Sequence, residues 1–385
     1  DSLDEIATRD KKDFQHRKYP EEYLKNHSIE ETYLSGRGVD SLQHADEDIK
    51  IMQKLGLNAY RFSIEWAKIE PKKGKFNVAA ISEYLAYIRK LKDGGITPIL
   101  TLWHFTNPLW VRDYGGWHNR RIVKDFNDFA EKVLESFGDE LEYVLSINEP
   151  NIYSFCVYIE RKWLTYGNKC GLLRYFLSLL NMIRSHKCLY KNLSKKYPNL
   201  KFGIAKNNMY FQPKNKKFYN IFFARVLNFL SNDLVLSRFT KYSDFIGLNY
   251  YLRNFVSLTH PIGGEDEKVS DMGWDLYPSG LYNALLELRK YRKEIIVTEN
   301  GLADAEDKYR SWFIKESVEA VVKAKNEGVN LVGYMYWSLL DNFEWASGYW
   351  PRFGLVEINR KNNMRREIRS SAFDYAKLID KYSNI

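Results

Sequence analysis

The stretch YVLSINEP, from Tyr143 to Pro150, gives the clearest indication of the fold class. Its first half is apolar, which is typical of a strand that is covered on both faces. Its end changes at once to an amide, a carboxylate and a proline, which terminates a strand. A second stretch of the same design, IIVTENG, runs from Ile295 to Gly301. Both stretches predict buried parallel strands, each with one glutamate at its carboxyl end.

Short runs of this kind alternate with helical patterns along almost the whole chain. Seven runs are recognisable, at Asn58–Trp66, Pro98–Phe105, Tyr143–Pro150, Phe202–Asn208, Phe245–Tyr251, Ile295–Gly301 and Val332–Leu339. The clearest helix is Phe126–Gly138, where apolar residues recur at helical spacing and a glycine ends the run. Alternating strands and helices predict a parallel sheet with right-handed crossovers.

Two observations favour an α/β fold of the (β/α)8 TIM barrel type over an open sheet. The polar residues collect at the carboxyl ends of the strands, where such barrels build their sites. The glycine-rich phosphate fingerprint of doubly wound sheets is absent from the sequence. A closed barrel needs eight strands, however, and Glu31–Ser35 is only a weak candidate for another. We therefore expect one barrel domain over residues 1–385, with its first strand missing or atypical and residues 1–45 forming an atypical helix and loop region.

Composition narrows the class of protein. The 45% hydrophobic content excludes a disordered chain. Much of the net charge of +9 collects between His186 and Lys217, which we interpret as a solvated face, since no nucleic-acid motif accompanies it. Three cysteines, no signal peptide and no membrane-spanning run predict a cytoplasmic protein with no nucleic-acid or membrane partner. Whether it forms a homo-oligomer is left open.

Glu149 and Glu299 stand at the ends of what would be the fourth and seventh strands of eight. From those positions two carboxylates converge across the mouth of a barrel. Cleavage of a glycoside by a retaining mechanism requires such a pair, about 5–5.5 Å apart, one as proton donor and one as nucleophile. The alternative is two unrelated surface acids.

Other polar residues at strand ends fit the same chemistry. Arg61 could keep a nucleophilic carboxylate ionised, and Tyr251 and Asn249 could donate to it. His104 can bind sugar hydroxyls. Trp337, Glu344 and Trp345 offer aromatic faces and a carboxylate to a pyranose. The alternatives are a surface ion pair, a buried tyrosine, a structural histidine and core tryptophans.

Eight motifs in the same order carry a resemblance to family 1 glycoside hydrolases, over roughly residues 36–380. They are NAYRFSIEWAKIEP, LTLWHFTNPLW, GGWHN, SINEP, DFIGLNYY, VTENGLAD, YWSLLDNFEWASGYWPRFGLVEI and SSAFDYAKLI. The chain resembles the retaining, β-glucosidase-like members of that family. The resemblance implies Glu149 as the general acid/base and Glu299 as the nucleophile, supported by Arg61, Asn249 and Tyr251. It further implies sugar contacts from His104, Asn148, Trp337, Glu344, Trp345 and Phe353.

The resemblance also implies the substrate. Small β-glucosides, β-galactosides or β-fucosides would be hydrolysed by double displacement, with neither a metal nor a cofactor. Members of the family that act on unphosphorylated sugars have a tryptophan at the position of Trp345. The resemblance therefore implies an unphosphorylated substrate. The alternatives are a transglycosidase and a sugar- or hydrophobe-binding protein with little or no activity.

One departure from the family pattern agrees with the strand count. The usual opening strand with its WG, and the Q-x-E-G segment whose glutamine binds the sugar, are absent from the sequence. Two explanations stand: residues upstream of Asp1 are missing, or the protein lacks that strand by nature.

Overall fold

Eleven strands form three sheets in the computed structural model, which describes residues 28, 31–32, 34–163, 171–257 and 268–382. The strands are β1 Ala59–Ser63, β2 Thr97–Trp103, β3 Tyr143–Asn148, β4 Lys201–Asn207, β5 Tyr210–Pro213, β6 Phe245–Asn249, β7 Arg253–Val256, β8 Glu294–Asn300, β9 Leu331–Tyr336, β10 Val356–Asn359 and β11 Arg365–Ile368. The main sheet has the order β1-β2-β3-β4-β6-β8-β9 and is parallel throughout. The predicted TIM barrel with seven parallel strands is therefore confirmed.

Helices surround this sheet. Those of the described residues are α1 Ala45–Lys54, α2 Trp66–Ile69, α3 Val78–Asp93, α4 Leu109–Asp113, α5 Ile122–Phe137, α6 Pro150–Tyr158, α7 Leu172–Leu193, α8 Phe218–Asn228, α9 Leu234–Thr240, α10 Pro278–Leu288, α11 Arg310–Asn326 and α12 Ser370–Tyr382. None of the helices in these ranges combines the length and the apolar character that crossing a bilayer requires.

Apolar side chains cover both faces of the main sheet. Inside, one layer consists of Ile99, Leu145, Ala205, Phe245 and Ile296, contributed by consecutive strands of the sheet. Outside, helices such as α5 bury the apolar stripe that the sequence predicted. Alternation of inward and outward side chains along each strand gives both layers from nearly continuous apolar runs.

The sheet has two open edges, on β1 and β9. Within the described residues, no strand pairs with the outer side of either. Both are partly exposed along their lengths, whereas β2, β3, β6 and β8 are buried almost throughout. A cavity of about 690 Å³ lies at this seam and reaches from Gly56 and Ile379 to Arg61 and His104.

The segment that precedes β1 does not supply a strand where the structure describes it. Glu31 and Thr32 are helical, and Leu34 and Ser35 are irregular, so the strand prediction for Glu31–Ser35 is wrong for these residues. The hydroxyl of Tyr349 donates to the Ser35 carbonyl, which ties this segment to the loop after β9. Residues 1–27, 29–30 and 33 lie outside the described residues.

Candidate active site

Glu149 is held at the junction of β3 and α6. Its φ of 40° lies in the left-handed region, and Pro150 starts the helix immediately after it. The Glu149 backbone N–H donates to the Ala205 carbonyl on β4 at 2.8 Å. The side chain is buried, so the turn directs the carboxyl into the barrel mouth rather than into solvent.

Two amides contact the Glu149 carboxyl. Asn249 was predicted to donate to Glu299, but its Nδ2 donates to Glu149 Oε1 at 2.8 Å, because its position on β6 turns the amide toward β3. Asn207 Nδ2 donates to the same atom at 3.0 Å. Burial, followed by the nearby charge of Glu299, raises the pKa of Glu149 to about 7, and the two amides oppose this rise. Glu149 therefore keeps a proton close to neutral pH.

The surroundings of Glu299 are different in kind. Arg61 Nη1 donates to Glu299 Oε1 at 2.5 Å, and the Tyr251 hydroxyl donates to Oε2 at 2.6 Å. The Arg61 and Glu299 side chains are both about 5% exposed, so water screens their attraction little. Burial raises the pKa of Tyr251 well above its usual range, which keeps the phenol protonated and available as a donor.

Arg61 also connects Glu299 to Asn148 and, through it, to His104. Its Nη2 donates to Asn148 Oδ1 at 2.6 Å, and its Nε donates to the Thr101 hydroxyl at 3.0 Å. Asn148 Nδ2 in turn lies 3.0 Å from His104 Nε2. Burial, together with the charge of Arg61, lowers the pKa of His104 well below its usual range, so this imidazole is neutral.

The aromatic rings of Trp337 and Trp345 lie beside these polar groups. The ring of His104 lies 5.5 Å from that of Trp345 and 6.0 Å from that of Trp337. Glu344, next to Trp345, has its pKa raised to about 8 by burial and by the charges of Glu299 and Glu149. Aromatic faces beside carboxyl and amide groups form the kind of pocket that binds a sugar ring.

Phe353 occupies a different place from the other predicted sugar contacts. It is only 2% exposed, and its ring packs against Tyr251 and Trp274 with centroid distances of 6.3 and 6.2 Å. Its evident role is to support the tyrosine that donates to Glu299. Its contact with a sugar stays a prediction.

The backbone at Gly301, two residues after Glu299, lies against the backbone of Trp337. This close contact fixes the distance between Glu299 and Trp337. A Cβ on Gly301 would lie 1.9 Å from the Trp337 carbonyl oxygen, so only glycine fits at this position. The loop that follows β9 is further held by the ion pair between Arg369 and Asp341, whose Oδ1 also accepts the Gly354 N–H at 2.9 Å.

The sequence reasoning missed residues that complete the site. Asn207 lies at the carboxyl end of β4 and contacts Glu149, and Thr101 on β2 holds Arg61. Trp163 packs on Trp345 with a centroid distance of 5.7 Å. The rule that selected the other candidates, a polar residue at the end of a strand, would have found Asn207 in the stretch FGIAKNN. In the described part of the chain, no group of three His, Cys, Asp or Glu side chains is arranged to hold a metal ion.

The structure thus places the predicted residues around two carboxyls in unlike surroundings, with Phe353 packed against Tyr251. One carboxyl keeps a proton near pH 7 because it is buried beside another acid. The other receives a guanidinium and a phenol. Pairs of acids whose environments differ in this way are suited to combined acid and nucleophilic catalysis.

Comparisons with known proteins identify the family to which this chain is similar. The model of Glycosyl hydrolase family 1 matches residues 11–236 and 223–383. Beta-glucosidase A of Thermotoga maritima is 31% identical in an alignment that covers 86% of this chain and 84% of that protein. Galactolipid galactosyltransferase SFR2 of Arabidopsis thaliana is 30% identical in an alignment that covers 87% of this chain but only 57% of the relative. The crystal structure of Fpglu1 from Fervidobacterium pennivoraus superposes with a TM-score of 0.83 at 28% identity, over 91% of this chain and 87% of that one.

Proposed function

The chain belongs to glycosyl hydrolase family 1 and is a glycoside hydrolase, and we propose that it cleaves small unphosphorylated β-glycosides with retention of configuration. The observation that carries this proposal is the asymmetry between Glu149 and Glu299. A buried carboxyl with its pKa raised to about 7 can donate a proton, and a carboxylate held by Arg61 and Tyr251 can attack.

In the first step, Glu299 attacks the anomeric carbon and forms an ester bond to the sugar. The bond from that carbon to the leaving oxygen breaks, and the Glu149 proton passes to this oxygen. The charge of Arg61 stabilises Glu299 as the attacking carboxylate before the bond forms.

In the second step, water attacks the same carbon. Glu149, now ionised, takes a proton from the water, and the ester bond breaks to return Glu299 as a carboxylate. Two inversions give net retention. Asn207 and Asn249 donate to Glu149 Oε1, which favours the ionised form that this step requires.

The proposed sugar contacts follow the layout of the pocket. Trp337 and Trp345 supply apolar faces for the pyranose, while Asn148, His104 and Glu344 supply acceptors and donors for its hydroxyls. A neutral His104 can both donate and accept. Glu344, with a pKa of about 8, is mostly protonated at neutral pH, so its carboxyl can both donate to and accept from sugar hydroxyls.

Glucosides are the first substrates to test, since one relative is named a beta-glucosidase; galactosides and fucosides follow from the family resemblance. Transfer to a sugar acceptor is the second candidate, because another relative is named a galactosyltransferase. Both reactions share the first step and differ only in whether water or a hydroxyl attacks the ester.

The test uses p-nitrophenyl β-glucoside and proton NMR of the first product released. We expect the β-anomer to appear first, and the Glu299→Gln variant to be inactive while melting like the wild type. Addition of methanol separates transfer from hydrolysis, because it yields a methyl glycoside only if an acceptor can compete with water. A folded wild-type protein that leaves a panel of aryl β-glycosides intact would contradict the proposal.

A further inference from the structure

The first turns of α7 expose apolar side chains to solvent. Leu173 is 73% exposed and Phe176 is 57% exposed, with Leu172 and Leu180 beside them. These positions lie on one side of the helix, while Leu179 and Met182 on the other side are buried in the core. A face of leucine and phenylalanine is thus turned away from the barrel.

A second apolar face lies on α8 and the turn that follows it. Phe218 is 83% exposed and Phe222 is 68% exposed; Phe229 and Leu230 continue the face. The spacing of four and seven residues puts the three phenylalanines on one side, whereas Asn220 and Ala224 are buried on the other. An ordinary surface helix buries its apolar face, whereas α8 exposes large apolar side chains to solvent.

Both faces lie at the mouth end of the barrel. α7 follows α6, which begins next to Glu149, and leads back to the start of β4. α8 follows β5, a strand that continues beyond the carboxyl end of β4, and packs against it. Leu173 and Phe176 are in the first turns of α7, and Phe218 and Phe222 are in the first turns of α8, so these four residues stand on the same side of the molecule as the site.

The chain segment that carries these faces is rich in positive charge, and Asp233, at the end of the turn that follows α8, is paired with Lys290. Residues 171–232 contain twelve lysines and arginines and not one aspartate or glutamate. Because the whole chain carries +9, this segment accounts for the entire positive excess. Lys214, Lys216 and Lys217 are exposed directly before Phe218, and Arg225 is exposed between the phenylalanines.

We propose that the exposed faces of α7 and α8 bind the surface of a membrane that contains anionic lipids, with the barrel mouth turned toward the lipid. Helices that lie on a bilayer combine bulky apolar residues with a lysine- and arginine-rich border, which is the pattern found here. The apolar side chains would enter the headgroup region, and the basic ones would contact lipid phosphates and carboxylates.

The positive charge of this surface favours an anionic bilayer over a second copy of the chain. A second copy of the chain would bring an equally basic surface against this one, and like charges would repel. An anionic bilayer satisfies both the apolar and the cationic components at once. The sequence predicted no membrane partner because no run is long enough to span a bilayer; this proposal departs from that prediction, since a peripheral contact needs no spanning run.

The experiment is sedimentation with vesicles of phosphatidylcholine alone or with about one third phosphatidylserine. We expect the wild type to sediment with the anionic vesicles and to be released as salt screens the charges. The F218S/F222S variant and, separately, the K214Q/K216Q/K217Q variant should each lower the partition coefficient at least ~10-fold. Melting followed by circular dichroism checks that each variant is folded, and the lysine variant alone suffices if the other unfolds.

Matched controls lie elsewhere on the surface. Phe373→Ser removes an exposed phenylalanine from α12, and K50Q/K72Q/K315Q removes three exposed lysines outside the basic segment. Both should bind vesicles like the wild type. The proposal is overturned if the wild type stays in the supernatant with both kinds of vesicle, or if the controls lose as much binding as the test variants. A wild-type dimer that F218S/F222S makes monomeric, without vesicle binding, would assign the surface to a second copy instead.

Discussion

Asn249 donates its side-chain amide to Glu149 at 2.8 Å while its backbone lies opposite Glu299 in the ladder between β6 and β8. One residue therefore touches the proposed acid and is fixed in register with the proposed nucleophile. The Thr298 hydroxyl donates to Asn249 Oδ1 at 2.6 Å, which leaves the amide hydrogens directed at Glu149. The sheet register itself thus sets the relation between the two carboxyls.

The pH dependence follows from Glu149. Only its protonated form can donate to the leaving group, and its pKa is about 7, so kcat/KM should fall as the pH rises through about 7. Asn207→Ala removes an amide that stabilises the carboxylate, so the pKa should rise and this limb should move to higher pH. Asn192→Ala, on the far part of α7, is the control and should leave the profile unchanged. A shift to lower pH in the Asn207 variant would count against the assignment.

Glu149→Gln should discriminate between leaving groups. A dinitrophenolate departs without a proton, whereas an alkoxide requires one. We expect the variant to lose about 10²–10⁴-fold in kcat/KM, which reports the first step, on an alkyl β-glucoside and far less on dinitrophenyl β-glucoside. Initial rates on the two substrates measure this directly. An equal loss on both would mean that Glu149 does not protonate the leaving oxygen.

Arg61→Lys should greatly reduce kcat/KM although it keeps the positive charge. Arg61 contacts Glu299, Asn148 and Thr101 through three different nitrogens, a geometry that an ammonium group cannot reproduce. We expect kcat/KM to fall at least ~100-fold because the misplaced nucleophile loses its orientation. Arg89→Lys, in an exposed pair with Glu140, is the matched control and should retain activity.

Two glycine substitutions provide a structural test. Gly301→Ala would place a methyl group 1.9 Å from the Trp337 carbonyl, so the chain must shift, at a cost of about 1–3 kcal/mol in the free energy of unfolding. Gly333→Ala, on the neighbouring β9, meets its nearest atom only at 3.6 Å and should change stability by less than ~0.5 kcal/mol. Urea denaturation measures both. KM should rise only in the Gly301 variant, because Trp337 moves with the shift.

The open edge of β9 should influence association between molecules. Val332 is 46% exposed on this edge, which no other strand of the described residues covers, and an uncovered apolar edge is a template for pairing with another chain. We expect Val332→Lys to lower light scattering in concentrated solution while changing stability by less than ~0.5 kcal/mol. Val78→Lys, at the start of α3, alters an equally apolar exposed residue away from a sheet edge and should leave scattering as it is. Scattering that drops equally in both variants would point to net charge as the cause.

The seven strands and the carboxyl pair were predictable because each rests on a local pattern. A continuous apolar run such as that before Asn148 has one stable environment, between two layers, and the polar residue after it must lie at a sheet edge. The direction of Phe353 was not predictable in this way. It depends on packing against Tyr251 and Trp274, which are remote in sequence. The raised pKa of Glu149 likewise depends on burial that only the assembled barrel provides.

The seam between β1 and β9 has a further consequence for how the chain folds. In a fully closed barrel, the last strand must find the first, and this is the pairing with the longest sequence separation. Here each ladder of the main sheet joins strands that follow one another in the barrel order, from β1 through to β9. The part of the sheet that the structure describes can therefore grow strand by strand without the entropic cost of a final ring closure. We expect refolding to start from any adjacent pair of strands and to lack a slow closing step.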